Sequence, residues 1–297
     1  MGTGFDPPSG EAGEEAGGGV TSMARAAERL VRSGGADGLP WEGAKLDSHF
    51  QPILAVREPA CHGYEALLRA TDRDGARISP VELFERAGEA SRALLDWSCR
   101  ALHLRNYARI DPDDRVLFLN VHPRAAVHDA NWARELANIV RYYGLSPRRL
   151  CVEILADDCG DEALLKEAVG VYRTLGVSVA VDGFGTGRSN FDRVLAVRPD
   201  VVKLDRALVA DVLLGWGRSR RMLSGMVELL HEARARVVVA GIENAAEARV
   251  AVEAGADFVQ GFFFSPPGPG LADEAAALER LRVALSPGGQ RGLHVAS

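Results

Sequence analysis

Four oxygen-bearing side chains recur at equivalent places along this chain. Glu65, Asn120, Glu153 and Asp182 each lie in or at the end of a short apolar or β-branched run. Three carboxylates and an amide oxygen are hard donors, which suit Mg²⁺ or Mn²⁺ better than zinc. Arg69 shares a run with Glu65, and Lys203 with Asp205, Glu243 and Gln260 stand at three later runs. A single acid at a strand end is usually solvated or caps a helix. Several acids placed in otherwise apolar segments cost free energy unless something cationic neutralises them. The pattern therefore points to one cation site assembled from many segments. Blander roles remain open: Lys203 and Asp205 as an internal ion pair, Gln260 satisfying buried backbone groups, and Glu243 capping a helix that begins near Ala245.

The segments that must position these groups alternate in type. Candidate strands are Phe50–Val56, Gly63–Arg69, Val116–Val121, Leu150–Ile154, Val177–Asp182, Val201–Leu204, Val237–Ala240 and Phe258–Gln260. The first two are joined by a short link holding Glu58, Pro59 and Ala60, which reads as a hairpin. Later links hold helices. Pro80–Leu104 and Glu162–Leu175 have helical patterns, and Met222, Met226, Leu229, Leu230 and Ala233 form a stripe expected to face the core. Strand–helix alternation implies a mainly parallel sheet. Eight strands imply closure into a (β/α)8 TIM-like barrel, whose strand C-termini share one mouth. The expected organisation is an unstructured or partly helical segment over 1–46, a barrel domain over 47–287 and a flexible tail over 288–297. Residues 1–19 hold little that packs, and Thr21 to Ser33 allow a short helix.

Bulk properties narrow the function classes. The 297 residues are 47% hydrophobic with a net charge of −6, enough apolar material for one large core and without the basic excess of a broad nucleic-acid surface. Cys61, Cys99, Cys151 and Cys159 form no CxxC pair, so they read as reduced small hydrophobes rather than a zinc site. No apolar run approaches the roughly 20 residues that span a bilayer. A cytoplasmic protein that binds neither nucleic acid nor membrane is expected.

Eight short motifs then carry a resemblance. They are FQPI at Phe50–Ile53, GYEALLRA around Glu65-Ala66-Leu67, NVHP from Asn120, VEI at Val152–Ile154, DGFGTG from Asp182, VKLDR at Val202–Arg206, AGIEN at Ala240–Asn244 and QGFFFSPP at Gln260–Pro267. In this order, each at an expected strand, they resemble the EAL domain family of cyclic-di-GMP phosphodiesterases from about His49 to Leu285. The resemblance implies a two-cation site opening cyclic-di-GMP to linear pGpG, with paired cations about 4 Å apart sharing an activated water. It implies that Glu65, Asn120, Glu153 and Asp182 hold the first metal. Lys203 would steady the water and the phosphate, and Glu243 and Gln260 would support the shell. Arg69, Gln51 and Leu67 would face the ligand.

Departures from the family pattern affect the second cation. Gly183 stands where the family carries a second aspartate, and Ala240 where it carries a glutamate. Ala156 and Arg188 depart in the loops that couple such sites to dimerisation. Two missing carboxylates remove most of a second site's attraction for a dication, and one lost electrostatic group already costs ~10²–10³ in rate. The expected protein is a degenerate EAL signalling member with one Mg²⁺ or Mn²⁺ site and a doubtful second. It would bind cyclic-di-GMP or a protein partner, with little or no hydrolysis, and a homodimer is compatible with the family. An active phosphodiesterase and a nucleotide-independent interaction protein are the alternatives.

Overall fold

A computed structural model describes residues 38–110, 115–121, 130–155, 162–185, 197–215 and 220–286, with isolated positions between 26 and 32 and at 191 and 194. The expected unstructured start (residues 1–19), the tail from 288, Cys159, Ala156 and Arg188 lie outside the described residues.

Ten strands follow in chain order: β1 Leu39–Trp41, β2 Ala44–Ala55, β3 Ala60–Thr71, β4 Arg77–Ile78, β5 Val116–Val121, β6 Leu150–Leu155, β7 Ser178–Phe184, β8 Val201–Leu204, β9 Arg236–Val239 and β10 Phe258–Val259. From β3 through β5 to β10 each barrel neighbour pairs in parallel, while β2 pairs antiparallel with both β3 and β10. That double pairing closes an eight-stranded barrel with the expected β2–β3 hairpin.

The hairpin begins earlier than the sequence pattern indicated. Residues 39–41 and 44–46, expected to precede the barrel, are strand. They form a two-residue turn at Glu42-Gly43, where both φ angles are positive, as a tight type I′ hairpin turn requires. With β4 they extend β2 and β3 into a four-stranded apron beyond the barrel. Its outer face (Ala44, Leu46, Ala70 and Ile78) packs on Leu95, Cys99 and Leu102, together with Val31 from the N-terminal segment. Ala27 and Val31 are helical and buried, in keeping with the short helix expected there.

Seven helices are described: α1 Pro80–Ile110, α2 Ala130–Tyr142, α3 Glu162–Thr174, α4 Arg206–Leu214, α5 Arg220–Glu232, α6 Ala245–Glu253 and α7 Glu274–Leu285. Gly88 breaks α1 into two pieces, with φ 64° and ψ 176°. On α5 the buried stripe is Leu223, Val227 and Leu230, whereas Met222 and Leu229 are 51% and 53% exposed. The expected core face holds for Leu230 and for Met226, which packs against the core, but Met222 and Leu229 turn outward and Leu223 and Val227 replace them. Both stripes have helical spacing, so periodicity alone does not choose between them.

Inside the barrel the side chains form layers. Ile53, Phe118, Cys151, Ala180, Val201, Val238 and Phe258 make one apolar layer. Strand side chains alternate with period two, so the next inward residues are Gln51, Asn120, Glu153, Asp182, Lys203, Ala240 and Gln260. Glu65 joins them by pairing with Gln51. Every expected strand-end group except Asp205, Glu243 and Arg69 belongs to this polar layer, at the mouth end of the apolar one.

Candidate active site at the barrel mouth

Glu65, on β3, is the hub. Its Oε2 accepts from Lys203 Nζ at 2.9 Å and from Gln260 Nε2 at 2.7 Å, and its Oε1 accepts from Asn120 Nδ2 at 3.0 Å. Burial pushes the Glu65 carboxyl up, but the Lys203 charge and these hydrogen bonds outweigh it and hold the group below its usual value. Gln260 Nε2 also donates to Gln51 Oε1 at 3.2 Å, and Gln51 Nε2 donates to the Ser265 carbonyl at 3.1 Å. The segment after β10 is thereby tied to β2, helped by paired backbone hydrogen bonds between Phe50 and Gly268.

Lys203 is buried and bridges two acids. Glu153 Oε1 lies 2.7 Å from its Nζ. Burial pulls the ammonium down, but Glu153, Glu65 and Asp182 more than reverse that and raise it well above normal. Glu153 moves the other way. Burial and the neighbouring Glu65 charge raise its carboxyl well above the usual range despite Lys203. Although the Lys203 contact is short, neither Glu153 oxygen has a directed hydrogen-bond partner among the described residues. Asp182 is half-buried and accepts from the Gly183 amide at 2.8 Å.

The pairing Lys203–Asp205 is absent. Asp205 instead caps α4 by accepting from the Ala207 amide. Glu243 is also placed elsewhere: its carboxylate sits 2.8 Å from Arg206 and is 51% exposed. Arg206 also forks onto Glu247, which accepts from the Glu243 amide. Asn244 rather than Glu243 caps α6. The Arg206–Glu247 clamp is not evident from the sequence pattern, although Arg206 ends the Lys203 motif and Glu247 lies one helical turn past Glu243. Leu67 and Arg69 are half-buried above the polar layer, and Arg69 donates to the Leu68 carbonyl.

A dication can be tested against these residues. Glu65, Glu153 and Asp182 outnumber Lys203 three to one, and the Glu153 oxygens lack directed partners. The donor set fits one hard cation in chemistry and charge. It is not a preformed cage, since no group of three or more acidic, histidine or cysteine side chains among the described residues is disposed to hold a metal. Lys203 now draws Glu65 and Glu153 together, so cation entry requires those contacts to rearrange. Gly183 and Ala240, beside these groups, offer no side-chain oxygen to a second cation.

Comparison with known proteins identifies the fold. The cyclic di-GMP phosphodiesterase NbdA of Pseudomonas aeruginosa is 28% identical over 239 residues, covering 76% of this chain and 29% of that protein. The chain spans about a third of the curated relatives it matches. A standalone EAL protein from Vibrio cholerae, solved with cyclic-di-GMP bound, superposes with a TM-score of 0.69 at 24% identity, over 78% of this chain and 96% of that one. Bacillus subtilis YkuI, in complex with cyclic-di-GMP and calcium, gives 0.70 at 24% identity over 81% and 60%. The family model described as the EAL domain matches residues 39–267. With that match running from the apron's first strand past the polar layer, the chain belongs to the EAL domain family of cyclic-di-GMP phosphodiesterases.

Proposed function

We propose that this chain is a degenerate EAL signalling protein, which binds cyclic-di-GMP at the barrel mouth and turns it over little or not at all. One observation carries this reading: the polar layer keeps Glu65, Asn120, Glu153, Asp182 and Lys203 but has a glycine and an alanine where the family pattern has the second cation's acids. Glu65, Asn120, Glu153 and Asp182 would hold a single Mg²⁺ or Mn²⁺, whose charge, when bound, offsets that of a ligand phosphate. Lys203 holds Glu65 and Glu153 together until then. Gln51 and Gln260 fix the Glu65 carboxylate, and Arg69 faces the ligand from the rim. Glu243, turned onto Arg206, takes no part in the site. Structures of relatives in complex with cyclic-di-GMP and calcium or manganese support the ligand class.

The protein acts in the cytoplasm, and its output passes to a protein partner or a second copy. No helix among the described residues is long and apolar enough to cross a membrane.

Calorimetric titration with cyclic-di-GMP, paired with chromatography for pGpG on the same sample, tests the reading. Binding that Glu65→Ala weakens, with turnover at least ~10²-fold below a complete family member in Mn²⁺, is the expected result. Rapid hydrolysis abolished by Glu65→Ala would establish the active-enzyme alternative, which the surviving four ligands and Lys203 favour. No binding at high ligand concentration would leave the nucleotide-independent interaction protein.

A further inference from the structure

The helical positions ahead of β1 are held in part by an under-satisfied charge. Ala27 and Val31 are fully buried, Ala27 in the cluster of Trp97, Leu104 and Tyr107 and Val31 in that of the apron. Arg105 on α1 donates from Nη1 to the Val31 carbonyl and from Nε to Asn106 Oδ1 at 3.2 Å. It is 6% exposed, and its Nη2 has no hydrogen-bond partner among the described residues. No carboxylate there forms an ion pair with it. A guanidinium carries five donors, and burying one without a counter-charge costs free energy. Burial and the Arg109 charge both press this guanidinium down. Docking therefore sets two described apolar side chains against a buried cation that water would solvate better. Such a contact can be lifted without disturbing the barrel.

The same guanidinium begins a chain of hydrogen bonds that ends at the rim of the mouth. Asn106, which accepts from Arg105, donates from Nδ2 to Ser48 Oγ at 3.2 Å and to Asp47 Oδ1 at 3.4 Å. Asp47 Oδ1 also accepts from the Ser48 amide at 2.7 Å. On β2, Asp47 pairs directly with Arg69 of β3, and directly paired residues have their Cβ atoms only about 5 Å apart. Yet the two form no ion pair: Asp47 is turned onto Asn106 and its own strand, and Arg69 donates to the Leu68 carbonyl. The rim cation is thus kept free of the acid across from it.

We infer that the helix carrying Ala27 and Val31 is a regulatory strap, which when seated keeps Asp47 off Arg69 and so holds the mouth ready for an anionic ligand. The ligand in question rests on the reading that the mouth takes cyclic-di-GMP. When the strap lifts, Arg105 loses the Val31 carbonyl and turns to water, and Asn106 loses the donor that orients its amide. Asp47 then exchanges a long, neutral contact for a charge-assisted one with Arg69. That neutralises the rim cation and weakens the hold on a phosphate. The coupling is reciprocal, so a ligand on Arg69 also favours the seated strap.

Calorimetric titration of the full chain with cyclic-di-GMP, paired with hydrogen exchange of the peptide containing Ala27 and Val31, tests this. Val31→Lys places a second cation beside Arg105 and should lift the strap, seen as fast exchange there with the circular dichroism of the barrel kept. Its affinity should fall at least about fivefold. Asp47→Asn keeps an oxygen for the Ser48 amide but offers Arg69 no charge. In that background Val31→Lys should change affinity by less than about twofold. In the unsubstituted chain, saturating cyclic-di-GMP should slow exchange of the same peptide. Unchanged exchange on ligand binding, unchanged affinity in a lifted Val31→Lys, or an equal loss in the Asp47→Asn background overturns the strap and leaves the proposed function standing. Slow exchange persisting in Ala27→Lys/Val31→Lys also overturns it. Failure of the unsubstituted chain to bind overturns the proposed function and the strap together.

Discussion

Replacing Lys203 by methionine would leave the Glu65 and Glu153 carboxylates facing each other without the ammonium between them. Breaking a buried ion pair from one side costs on the order of 3–5 kcal/mol, so Lys203→Met should unfold at much lower denaturant. Added Mn²⁺ should recover part of the loss if the remaining oxygens can take a cation. Glu153→Gln tests the opposite partner. Its carboxyl is raised in the folded state, so its contribution to stability is present below the unfolded value near pH 4.5 and is lost as pH rises towards the folded one. Glu153→Gln should therefore match or exceed the parent in denaturation at pH 8 and abolish any thermal shift produced by Mn²⁺. The identities of these residues were legible in the sequence, because each interrupts an apolar run. Their partners were not. The choice between Asp205 and Glu153 for Lys203 depends on which strands become neighbours and on the face each side chain takes. Glu243 shows the same limit, since its attraction to Arg206 acts between two links that meet only after closure.

At the scale of elements, α1 is fastened to β2 by a buried polar contact, His103 Nδ1 to Ser48 Oγ at 2.8 Å. Burial and the Arg100 and Arg69 charges push His103 down to about 3, so the folded chain keeps it neutral. The unfolded chain takes up a proton near pH 6.5, which makes the contribution complete above that pH and eroded as pH falls towards 3. His103→Gln should flatten the stability profile by on the order of 2 kcal/mol between pH 7 and pH 5 relative to the parent, as urea denaturation would read. Gly183 sits at φ 71° where β7 leaves its regular register. An aspartate placed there must accept the left-handed region, at roughly 1–2 kcal/mol. Gly183→Asp with Ala240→Glu should lower the midpoint of unfolding without cation and raise affinity for Mn²⁺. Unchanged Mn²⁺ affinity would place the defect outside these two positions. Strand positions were readable because β-branched runs are strong local signals, and the hairpin because its link is too short for a helix. The core face of α5 was not, since Met222 and Leu223 both continue a helical repeat and only the sheet beneath selects between them.

Across the whole molecule, the base of the barrel is held by a clasp from the last helix. Tyr64 donates to Glu274 at 2.7 Å, and Arg115 reaches the other oxygen of that carboxylate at 3.0 Å. Tyr64→Phe should cost about 1 kcal/mol and speed hydrogen exchange in α7 before it affects the mouth, as mass spectrometry would resolve. The closed barrel was legible from eight runs in alternation, but β1 and β4 were not. Three residues containing Pro40, and two containing Arg77, carry too little periodicity to stand out from turns; they become strands because the long hairpin offers them an edge.

The reversed direction of β2 has a consequence for how the domain could be driven. Chain enters the barrel at the rim, descends to the base and climbs back along β3, so the segment ahead of β1 is anchored beside the mouth rather than beneath the floor. A pull or twist delivered from that side would reach Gln51 through the tight Glu42-Gly43 turn and then straight down β2, with no helix between.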